Sequence, residues 1–287
     1  MPRMRLNCYS DSKFFSSSPP LSPIPLPSPR GTHFWYVIPN EVKGESGTNI
    51  WKFYRHEFRK SALLARTLVR TIIARYQINS SISPGSLNFR KSIHGKPEVD
   101  WEQCDHHEPP PLHFNISHTS SMVACGMTIN SPIGVDVEAK QRTVKHNVLT
   151  LSRRYFSEHE LEVLTAIKIP IFSTRNCLQE AYVKALGRGF SGSPFKTFTI
   201  RFGNAIGVSA RLSRNSMDDP NDLTSNWQFV LLELAGSHYA AICTEKDVAD
   251  EGNRKCPMKL KVWKTILFVE DECVSGTEAV RILCGLK

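Results

Sequence analysis

The 287-residue chain contains no uninterrupted apolar run long enough to cross a bilayer, so we expect no membrane-spanning helix. Its eight cysteines include no Cys-x-x-Cys pair, and their spacing matches neither a disulfide framework nor a zinc module. The sequence also lacks the signatures of zinc fingers, basic zippers and RNA-recognition motifs. These absences favour an intracellular protein with reduced thiols and without a membrane or nucleic-acid partner.

Acidic residues are in the minority. The chain has 36 Lys and Arg against 27 Asp and Glu, a formal net charge of +9 and a pI near 9.2. A basic surface attracts anionic partners, which include nucleic acids, acidic lipids, phosphate-rich cofactors and acidic proteins. Arg66, Arg70 and Arg75 in one helical pattern keep nucleic-acid binding open as an alternative. Charge alone does not choose among these partners.

The first thirty residues contain a single acid, Asp11, and Ser and Pro dominate from residue 16 to residue 29. Organellar targeting peptides are rich in Arg and Ser and poor in acids. A disordered, Pro-rich tail has a similar composition. We therefore predict that residues 1–30 are either a transit peptide, which implies a mitochondrion or plastid, or a disordered tail of a cytosolic protein. In both cases they are excluded from the predicted fold.

Helical and strand-like patterns alternate through the rest of the chain, which predicts an α+β fold. Helical patterns cover residues 55–76, 157–167, 173–186 and 276–283. Strand patterns cover residues 33–38, 87–90, 122–128, 132–138, 198–202, 227–234, 239–243 and 259–269. Residues 98–111, which are rich in acids, His and Pro, are predicted to form a loop.

A short repeated motif suggests a duplicated architecture. Ser117-His118 precedes a predicted strand near the end of the first part of the chain, and Ser237-His238 precedes another near the end of the second. We therefore predict two similar α+β halves, an N-terminal half over 31–130 and a C-terminal half over 131–246. The extension over 247–287 receives no predicted role.

Asp136 and Glu138 lie two residues apart in a predicted strand. Side chains alternate across a strand, so both carboxylates point to one face while Val135 and Val137 point to the other. Neighbouring carboxylates repel each other unless a cation or a shared proton lies between them, and Mg²⁺ suits hard oxygen ligands. An exposed strand with solvated acids is the alternative interpretation of this pair.

Three further patterns could serve a phosphate-containing ligand. Glu180 and Lys184 lie four residues apart and share one helical face, although such pairs are also common on protein surfaces. Residues 115–119 carry hydroxyls and an imidazole, and residues 94–97 place a lysine in a His-Gly-Lys-Pro turn. Each pattern alone is equally typical of an ordinary turn or ion pair.

The order and spacing of the motifs make their combination specific. The chain reads Gly-Lys-Pro at 95–97, Phe-Asn-Ile-Ser-His-Thr at 114–119, Gly-Val-Asp-Val-Glu at 134–138, Phe-Ser-Glu-His-Glu-Leu at 156–161 and Gln-Glu-Ala-Tyr-Val-Lys-Ala-Leu-Gly-Arg-Gly at 179–189. This series resembles the 4′-phosphopantetheinyl transferase family, specifically its larger two-lobed branch of the Sfp and aminoadipate-semialdehyde-dehydrogenase-activating type. The resemblance covers roughly residues 50–245.

The resemblance implies a pseudo-twofold α+β fold with coenzyme A bound between the halves. It implies Mg²⁺-dependent transfer of phosphopantetheine from coenzyme A to a serine of an apo acyl or peptidyl carrier protein, with release of 3′,5′-ADP. The carrier would belong to fatty acid synthesis, the aminoadipate route of lysine biosynthesis or peptide synthesis. A single-chain cleft implies a monomer.

Site residues are carried over from the family by motif. The implied metal ligands are Asp136, Glu138 and Glu180, and Lys184 resembles the family lysine near the pyrophosphate. Glu180 is also our candidate for the general base, so Glu180 and Lys184 are the predicted catalytic residues. The implied coenzyme A contacts are Lys91, His94, Gly95, Lys96, Asn115, Ile116, Ser117, His118, Asp136, Glu180 and Lys184.

Two positions depart from the family pattern, which usually reads Trp-x-x-Lys-Glu. Asn176 stands at the Trp position and Gln179 at the Lys position, which removes a positive charge near the phosphates while Gln179 keeps hydrogen-bond donors. A degenerate, non-catalytic relative that acts as an interaction protein therefore stays open as an alternative. The family's basic residue ahead of the first long helix is Lys52 or Arg55.

A zinc site is a further alternative because five potential ligands lie close together in the sequence. Their spacing fits no common zinc module, and the composition around them is typical of a surface loop. These residues are Cys104, His106, His107, His113 and His118.

Overall fold

A computed structural model describes the chain at residues 22–42, 57–76, 83–101, 112–141, 170–189, 198–201, 211–214, 227–245, 258–266 and 270–284. In the first part of the chain it contains strand β1, helix α1, the hairpin β2–β3 and strands β4 and β5. Their bounds are Gly31–Val37, Glu57–Arg75, Asn88–Lys91, Pro97–Asp100, Leu112–His118 and Val123–Ile129.

The next part of the chain repeats this order of elements with strand β6, helix α2, the hairpin β7–β8 and strands β9 and β10. Their bounds are Ile133–Ala139, Pro170–Leu186, Phe198–Arg201, Arg211–Arg214, Trp227–Leu234 and His238–Glu245. Three further strands follow, β11 (Lys259–Ile266), β12 (Glu270–Cys273) and β13 (Val280–Cys284).

The two repeats build two sheets with the same core strand order. β1, β5 and β4 are neighbours in a five-stranded sheet of order β12-β11-β1-β5-β4. β6, β10 and β9 are neighbours in a four-stranded sheet of order β13-β9-β10-β6. Each of these neighbouring pairs within a repeat is antiparallel. The equivalence confirms the predicted α+β fold with two similar halves.

The apolar faces of the two sheets share a central core. Phe34 and Tyr36 of β1 lie in it together with Val135 and Val137 of β6. Successive side chains of a strand point to opposite faces, so Trp35 of β1 belongs instead to the core beneath α1. A third core lies between α2 and the opposite face of the second sheet. The molecule is therefore layered as helix, sheet, sheet and helix, and one face of β6 looks toward α2.

The C-terminal segment over 247–287, for which the sequence predicts no role, contributes strands to both sheets. β11 pairs in parallel with β1, and β13 pairs with β9. Trp263 of β11 stacks on Trp35 of β1 with ring centroids 4.3 Å apart. Val262 and Val274 are buried in the central core. The segment is therefore an integral part of the fold.

The exclusion of residues 1–30 from the fold is wrong for residues 22–30. The backbone N–H of Ile24 donates to the carbonyl of Arg75 at 2.9 Å, and Ile24 and Leu26 pack against the core beneath α1. Arg75 also donates from Nε to the carbonyl of Ser22 at 3.0 Å. A Pro-rich segment can pack through its few apolar side chains without forming a helix or strand, which composition alone does not reveal. Residues 1–21 lie outside the described residues.

Two local predictions are wrong because strand pairing outweighs local composition. Residues 280–284 form a strand paired with β9, where a helix over 276–283 is predicted, and Gly276 at φ +80° lies in the turn before it. Residues 98–100 belong to β3, where a loop is predicted. The alternative interpretation of residues 115–119 as a turn is also wrong for 115–118, which belong to β4.

The predicted helices over 55–76 and 173–186 are confirmed as α1 and α2. The helix predicted over 157–167 lies outside the described residues. Neither α1 nor α2, within the described part of the chain, combines the length and apolar character that a bilayer span requires.

Burial of His33 should make the folded protein less stable in acid. The side chain is 5% exposed, and its Nδ1 lies 3.0 Å from the hydroxyl oxygen of Tyr76. Burial first, and then the charge of Lys261, lower the pKa of His33 from 6.5 to about 4. Between these pH values the unfolded chain binds a proton that the folded chain does not. The contribution of His33 to the free energy of unfolding therefore falls as pH decreases from 6.5 to about 4.

We expect His33→Gln to remove this contribution, because glutamine keeps hydrogen-bonding groups but does not titrate. The free energy of unfolding of the variant should therefore decrease less in acid than that of the wild type. Urea unfolding followed across the same pH interval measures the slope. His94→Gln, a control at an exposed histidine of the β2–β3 hairpin, should keep the wild-type slope. A wild-type slope in His33→Gln would contradict this explanation.

Candidate active site

Strand β6 places two carboxylates on the face of the second sheet that looks toward α2. Asp136 and Glu138 alternate with Val135 and Val137, which lie in the central core. The two acids are themselves buried, with 3% and 7% of their surface exposed. Burying ionised groups costs free energy unless partners compensate them. The alternative of an exposed strand with solvated acids is therefore wrong.

Helix α2 touches β6 directly at Gly134. A Cβ atom at this position would lie 1.9 Å from the carbonyl oxygen of Ala181 and 2.3 Å from the backbone nitrogen of Ala185. Only glycine therefore allows the helix backbone to come this close to the strand. The close contact brings Glu180 and Lys184, one turn apart on α2, to the carboxylates of β6.

Three carboxylates meet where β6 and α2 touch. Ligand oxygens of Asp136, Glu138 and Glu180 all lie within 4.8 Å of one another. Lys184 Nζ lies 2.5 Å from Asp136 Oδ1 and 3.8 Å from Glu180 Oε2. Ser117 of β4 donates a hydrogen bond of 2.9 Å to the same oxygen of Asp136. The structure thus brings together all three predicted metal ligands and the predicted catalytic lysine.

One carboxylate oxygen of Asp136 has no donor. Its Oδ1 accepts hydrogen bonds from Ser117 and Lys184, whereas Oδ2 is buried and accepts none from the described residues. A buried acceptor without a partner is costly. A divalent cation would satisfy it, and a donor set made of carboxylate oxygens suits Mg²⁺. The residues present therefore fit the metal that the resemblance implies.

The crowded carboxylates do not all ionise readily. Burial first, and then repulsion from Asp136, raise the pKa of Glu180 from 4.5 to about 7. Lys184 and a hydrogen bond from Asn176 act in the opposite direction. Carboxylates that share a site relieve their repulsion with a proton or a cation. Near neutral pH, either a proton on Glu180 or a metal ion can therefore balance this cluster.

Asn115 and Ser117, which the resemblance implies as coenzyme A contacts, hydrogen-bond to the backbone of β6. Asn115 Oδ1 accepts the backbone N–H of Val135 at 2.8 Å. Ser117 Oγ accepts the backbone N–H of Val137 at 3.2 Å and a hydrogen bond from Lys184 at 3.1 Å. Ile116 lies between them in sequence and packs against the core beneath α1. The alternation of β4 explains this division, since Asn115 and Ser117 share one face and Ile116 takes the other.

Lys96 also reaches the second half of the molecule. Its Nζ donates to the carbonyls of Ile133 and Lys184 at 3.0 and 3.1 Å. The other residues expected to bind coenzyme A through these two segments lie at the surface. Lys91, His94 and Gly95 are exposed on the β2–β3 hairpin, and His118 is exposed at the end of β4.

The two departures from the family pattern have different surroundings. Asn176 Nδ2 donates to Glu180 Oε1 at 3.1 Å, so this residue supports a predicted metal ligand. Gln179 is completely buried, which argues against a contact between its side chain and phosphates that enter from solvent. The remaining candidates for the upstream basic residue, Lys52 and Arg55, lie outside the described residues.

The described histidines do not support a zinc site. His113 and His118 lie five residues apart on β4, so their side chains leave opposite faces of the strand. Cys104, His106 and His107 lie outside the described residues.

A hydrogen-bonded histidine links the two halves beside this site. His238 Nε2 lies 2.9 Å from Ser121 Oγ and 3.3 Å from Thr119 Oγ1, and His238 Nδ1 lies 2.9 Å from Ser237 Oγ. The sequence points to His238 only through the repeated Ser-His dipeptide and predicts no contact for it.

Two family models match the chain, and together they cover both halves. The model described as 4′-phosphopantetheinyl transferase superfamily matches residues 132–243, and the model described as 4′-phosphopantetheinyl transferase, N-terminal, matches residues 28–129. The chain belongs to the 4′-phosphopantetheinyl transferase superfamily. This membership assigns it to a family of transferase enzymes, and the family name agrees with the resemblance drawn from the motifs.

Characterised members of the superfamily are similar over part of their length. A 4′-phosphopantetheinyl transferase of Bacillus subtilis is 28% identical over 60% of this chain and 71% of the relative. The transferase Sfp of Bacillus subtilis strain 168 is 31% identical over 56% of this chain and 66% of the relative. The L-aminoadipate-semialdehyde dehydrogenase-phosphopantetheinyl transferase of Mus musculus is 21% identical over 54% of this chain and 51% of the relative. The matched part thus spans between half and about seven tenths of these relatives.

We expect Gly134→Ala to destabilise this superfamily member strongly. The new methyl group would lie 1.9 Å from a backbone oxygen of α2, so the helix must move away from β6 and take Glu180 with it. Overpacking typically costs about 1–3 kcal/mol, and a contact with backbone lies at the upper end because it cannot rotate away. Urea unfolding measures the change.

Gly236→Ala is a reference without a steric contact, because nothing lies within 4 Å of its Cβ position, although Gly236, unlike Gly134, has a positive φ of +67°. It isolates the backbone cost of an alanine at positive φ, about 1 kcal/mol. Equal losses in the two variants would show that the contact between α2 and β6 is not tight.

Proposed function

We propose that this protein transfers the 4′-phosphopantetheine group of coenzyme A to a serine of an apo acyl or peptidyl carrier protein in a Mg²⁺-dependent reaction. The observation that carries the proposal is the cluster of Asp136, Glu138 and Glu180, in which the buried Asp136 Oδ2 accepts no hydrogen bond from the described residues. Membership of the 4′-phosphopantetheinyl transferase superfamily supplies the reaction class.

Asp136, Glu138 and Glu180 would hold the metal through carboxylate oxygens. When bound, Mg²⁺ would offset the negative charge of the diphosphate of coenzyme A. The three acids come from a rigid strand and a rigid helix in close contact, so their positions do not depend on a loop. Preorganised charge of this kind is the main requirement of phosphoryl transfer, in which positioning matters more than covalent help from the protein.

In the proposed reaction the serine oxygen of the carrier forms a bond to the β-phosphorus of coenzyme A. The bond between this phosphorus and the bridging oxygen breaks, and 3′,5′-ADP leaves with the electron pair. The serine proton must go to a base. Glu180 is our candidate, directly or through one water, because 26% of its side chain is exposed, whereas Asp136 and Glu138 are buried.

Lys184 is the cation of the cluster. Its Nζ is 2.5 Å from Asp136 Oδ1 and 22% of its side chain is exposed, so the ammonium group borders both the acids and the solvent. We infer that Lys184 neutralises the leaving phosphate. The net charge of +9 would favour the approach of polyanionic coenzyme A and of an acidic carrier protein.

A non-catalytic relative is the alternative that the experiments must exclude. Asn176 and Gln179 motivate it, but Asn176 hydrogen-bonds Glu180 and all four charged residues of the site are present. Incubation with coenzyme A, Mg²⁺ and an apo acyl carrier protein, read by mass spectrometry, distinguishes the two. Transfer adds one phosphopantetheinyl group to the carrier, whereas a non-catalytic relative leaves the carrier mass unchanged.

We expect Asp136→Asn and Glu180→Gln to reduce the transfer rate by at least about 100-fold, because each removes a charged metal ligand, and Glu180→Gln also removes the base. The neutral side chains have nearly the same shape and relieve the repulsion among the acids. Thermal melting should therefore show folded variants. Phosphopantetheinylation followed by mass spectrometry measures the rate.

Glu272→Gln is the matched control, since Glu272 is an exposed acid of β12 in the other sheet. It makes the same chemical change and should keep the wild-type rate. A fully active Glu180→Gln enzyme would refute the role given to Glu180.

A further inference from the structure

β6 is an edge strand, and edge strands have outward-facing backbone groups without a neighbouring strand. β10 pairs with one edge of β6, and the alternating antiparallel pattern leaves the N–H and carbonyl groups of residues 133, 135 and 137 on the other edge. Buried backbone groups of this kind need partners. Three of these groups have side-chain partners from the first half of the molecule.

Three side chains supply these partners, and we name Asn115, Ser117 and Lys96 the edge clamp. Asn115 Oδ1 accepts the N–H of Val135 at 2.8 Å, and Ser117 Oγ accepts the N–H of Val137 at 3.2 Å. Lys96 Nζ donates to the carbonyl of Ile133 at 3.0 Å. For these three backbone groups, the clamp takes the place of a neighbouring strand along the outer edge of β6.

The spacing of the clamp matches that of the groups it holds. Asn115 and Ser117 lie two residues apart on β4, and their acceptors meet N–H groups that lie two residues apart on β6. A displacement of β6 by one residue would exchange its two faces and turn Asp136 and Glu138 into the central core. The clamp thus opposes such displacement and fixes where the two carboxylates point.

Lys96 extends the clamp to the helix that carries the third acid. Its Nζ also donates to the carbonyls of Lys184 and Ala185 at 3.1 and 3.5 Å, near the C-terminal end of α2. Carbonyls in the last turn of a helix lack partners within the helix, and a cation is favourable there. One ammonium group therefore joins the start of β6 to the end of α2, the two elements whose separation sets the distance between Asp136 and Glu180.

The contacts of the clamp differ from those expected of residues that bind a ligand. The oxygen of Asn115 and the ammonium group of Lys96 are engaged with protein backbone, and burial lowers the pKa of Lys96. Residues that only oriented a phosphate would not need to accept N–H groups of the metal-binding strand. The geometry instead couples them to the metal ligands.

We propose that Asn115, Ser117 and Lys96 are positioning residues that hold β6 against the first half and thereby set the affinity of the acidic cluster for a divalent metal. This proposal rests on the proposed function, because it assumes that Asp136, Glu138 and Glu180 bind the metal. It assigns to these three residues a task separate from coenzyme A binding.

Asn115 offers the sharpest test, because two substitutions distinguish the two tasks. Asn115→Ala removes the acceptor for Val135 N–H. Asn115→Asp keeps an oxygen acceptor but removes the amide donor and adds a negative charge, which would repel the phosphates of coenzyme A.

Two measurements separate the two tasks. Mn²⁺ alone, titrated into the full-length protein and followed by electron paramagnetic resonance, reports metal affinity without coenzyme A. Steady-state transfer assays give KM for coenzyme A and kcat.

We expect Asn115→Ala to weaken Mn²⁺ binding by about 10-fold or more, which is the usual effect of losing a residue that orients a metal ligand. Its KM for coenzyme A should stay near the wild-type value while kcat falls. Asn115→Asp should restore Mn²⁺ binding to within about 3-fold of wild type. Asn88→Ala, the same change at an exposed residue of β2, should match the wild type in both measurements.

The opposite pattern would overturn the proposal. Wild-type Mn²⁺ affinity in Asn115→Ala, together with a raised KM for coenzyme A that Asn115→Asp raises further, would make Asn115 a coenzyme A contact. Lys96→Met, which keeps the aliphatic stem, provides a second test if Asn115→Ala does not fold. It should also weaken Mn²⁺ binding, and unchanged Mn²⁺ binding in Lys96→Met would likewise count against the clamp.

The wild-type protein separates this proposal from the proposed function. A wild type that neither binds Mn²⁺ nor modifies an apo carrier protein refutes the proposed function, and the clamp with it. A wild type that does both, with variants that lose only coenzyme A affinity, refutes the clamp alone. A wild type that transfers phosphopantetheine but does not bind free Mn²⁺ also refutes the clamp alone.

Discussion

The mutual repulsion of three crowded carboxylates, two of them buried, is the constraint around which the second half of the molecule is arranged. Asp136 and Glu138 on β6 and Glu180 on α2 would separate if only their charges acted on them. The fold opposes this because Gly134 lets the backbone of α2 rest on β6, so the acids cannot move apart without breaking the packing between helix and strand. Lys184 then supplies the opposing charge from the same helix. The site is therefore a product of strand–helix contact more than of local sequence.

Compensation of these charges by the protein is partial. Lys184 and Ser117 donate to one oxygen of Asp136, and Asn176 donates to one oxygen of Glu180. The other oxygen of Asp136 is buried and accepts no hydrogen bond within the part of the chain that the structure describes, and the pKa of Glu180 is raised to about 7. A core selected for stability alone would not retain such a combination, because each buried and uncompensated group costs free energy. The positive charge and the partner for Asp136 Oδ2 that are still missing are what a divalent cation can supply.

The periodicity of strand and helix was enough to predict which acids share a face, but not what holds them in place. Asp136 and Glu138 follow from the two-residue period of a strand, and Lys184 lies one helical turn from Glu180. That this strand and this helix meet was implied by the family resemblance. The contacts of Asn115 with β6 could not be predicted, because they depend on which strands form the edges of the two sheets. The parallel pairing of β11 with β1 could not be predicted either, because it joins distant parts of the chain.

The equivalence of β1 and β6 explains why, among the described residues, the carboxylate cluster lies in only one of two similar halves. Both strands direct alternate apolar residues into the central core, and both direct the remaining residues toward their own helix. In β1 those residues include Trp35 and Val37, whose bulk fills the space beneath α1. In β6 they are Gly134, Asp136 and Glu138. A strand filled with large side chains keeps its helix at a distance, whereas glycine lets the helix come close enough to bring a lysine and a third acid to the first two. Close approach is also what makes the buried acids tolerable, because the opposing charge must lie within a few ångströms to act strongly. The acids and the glycine therefore depend on one another, which is why the charged face is confined to the half that has both.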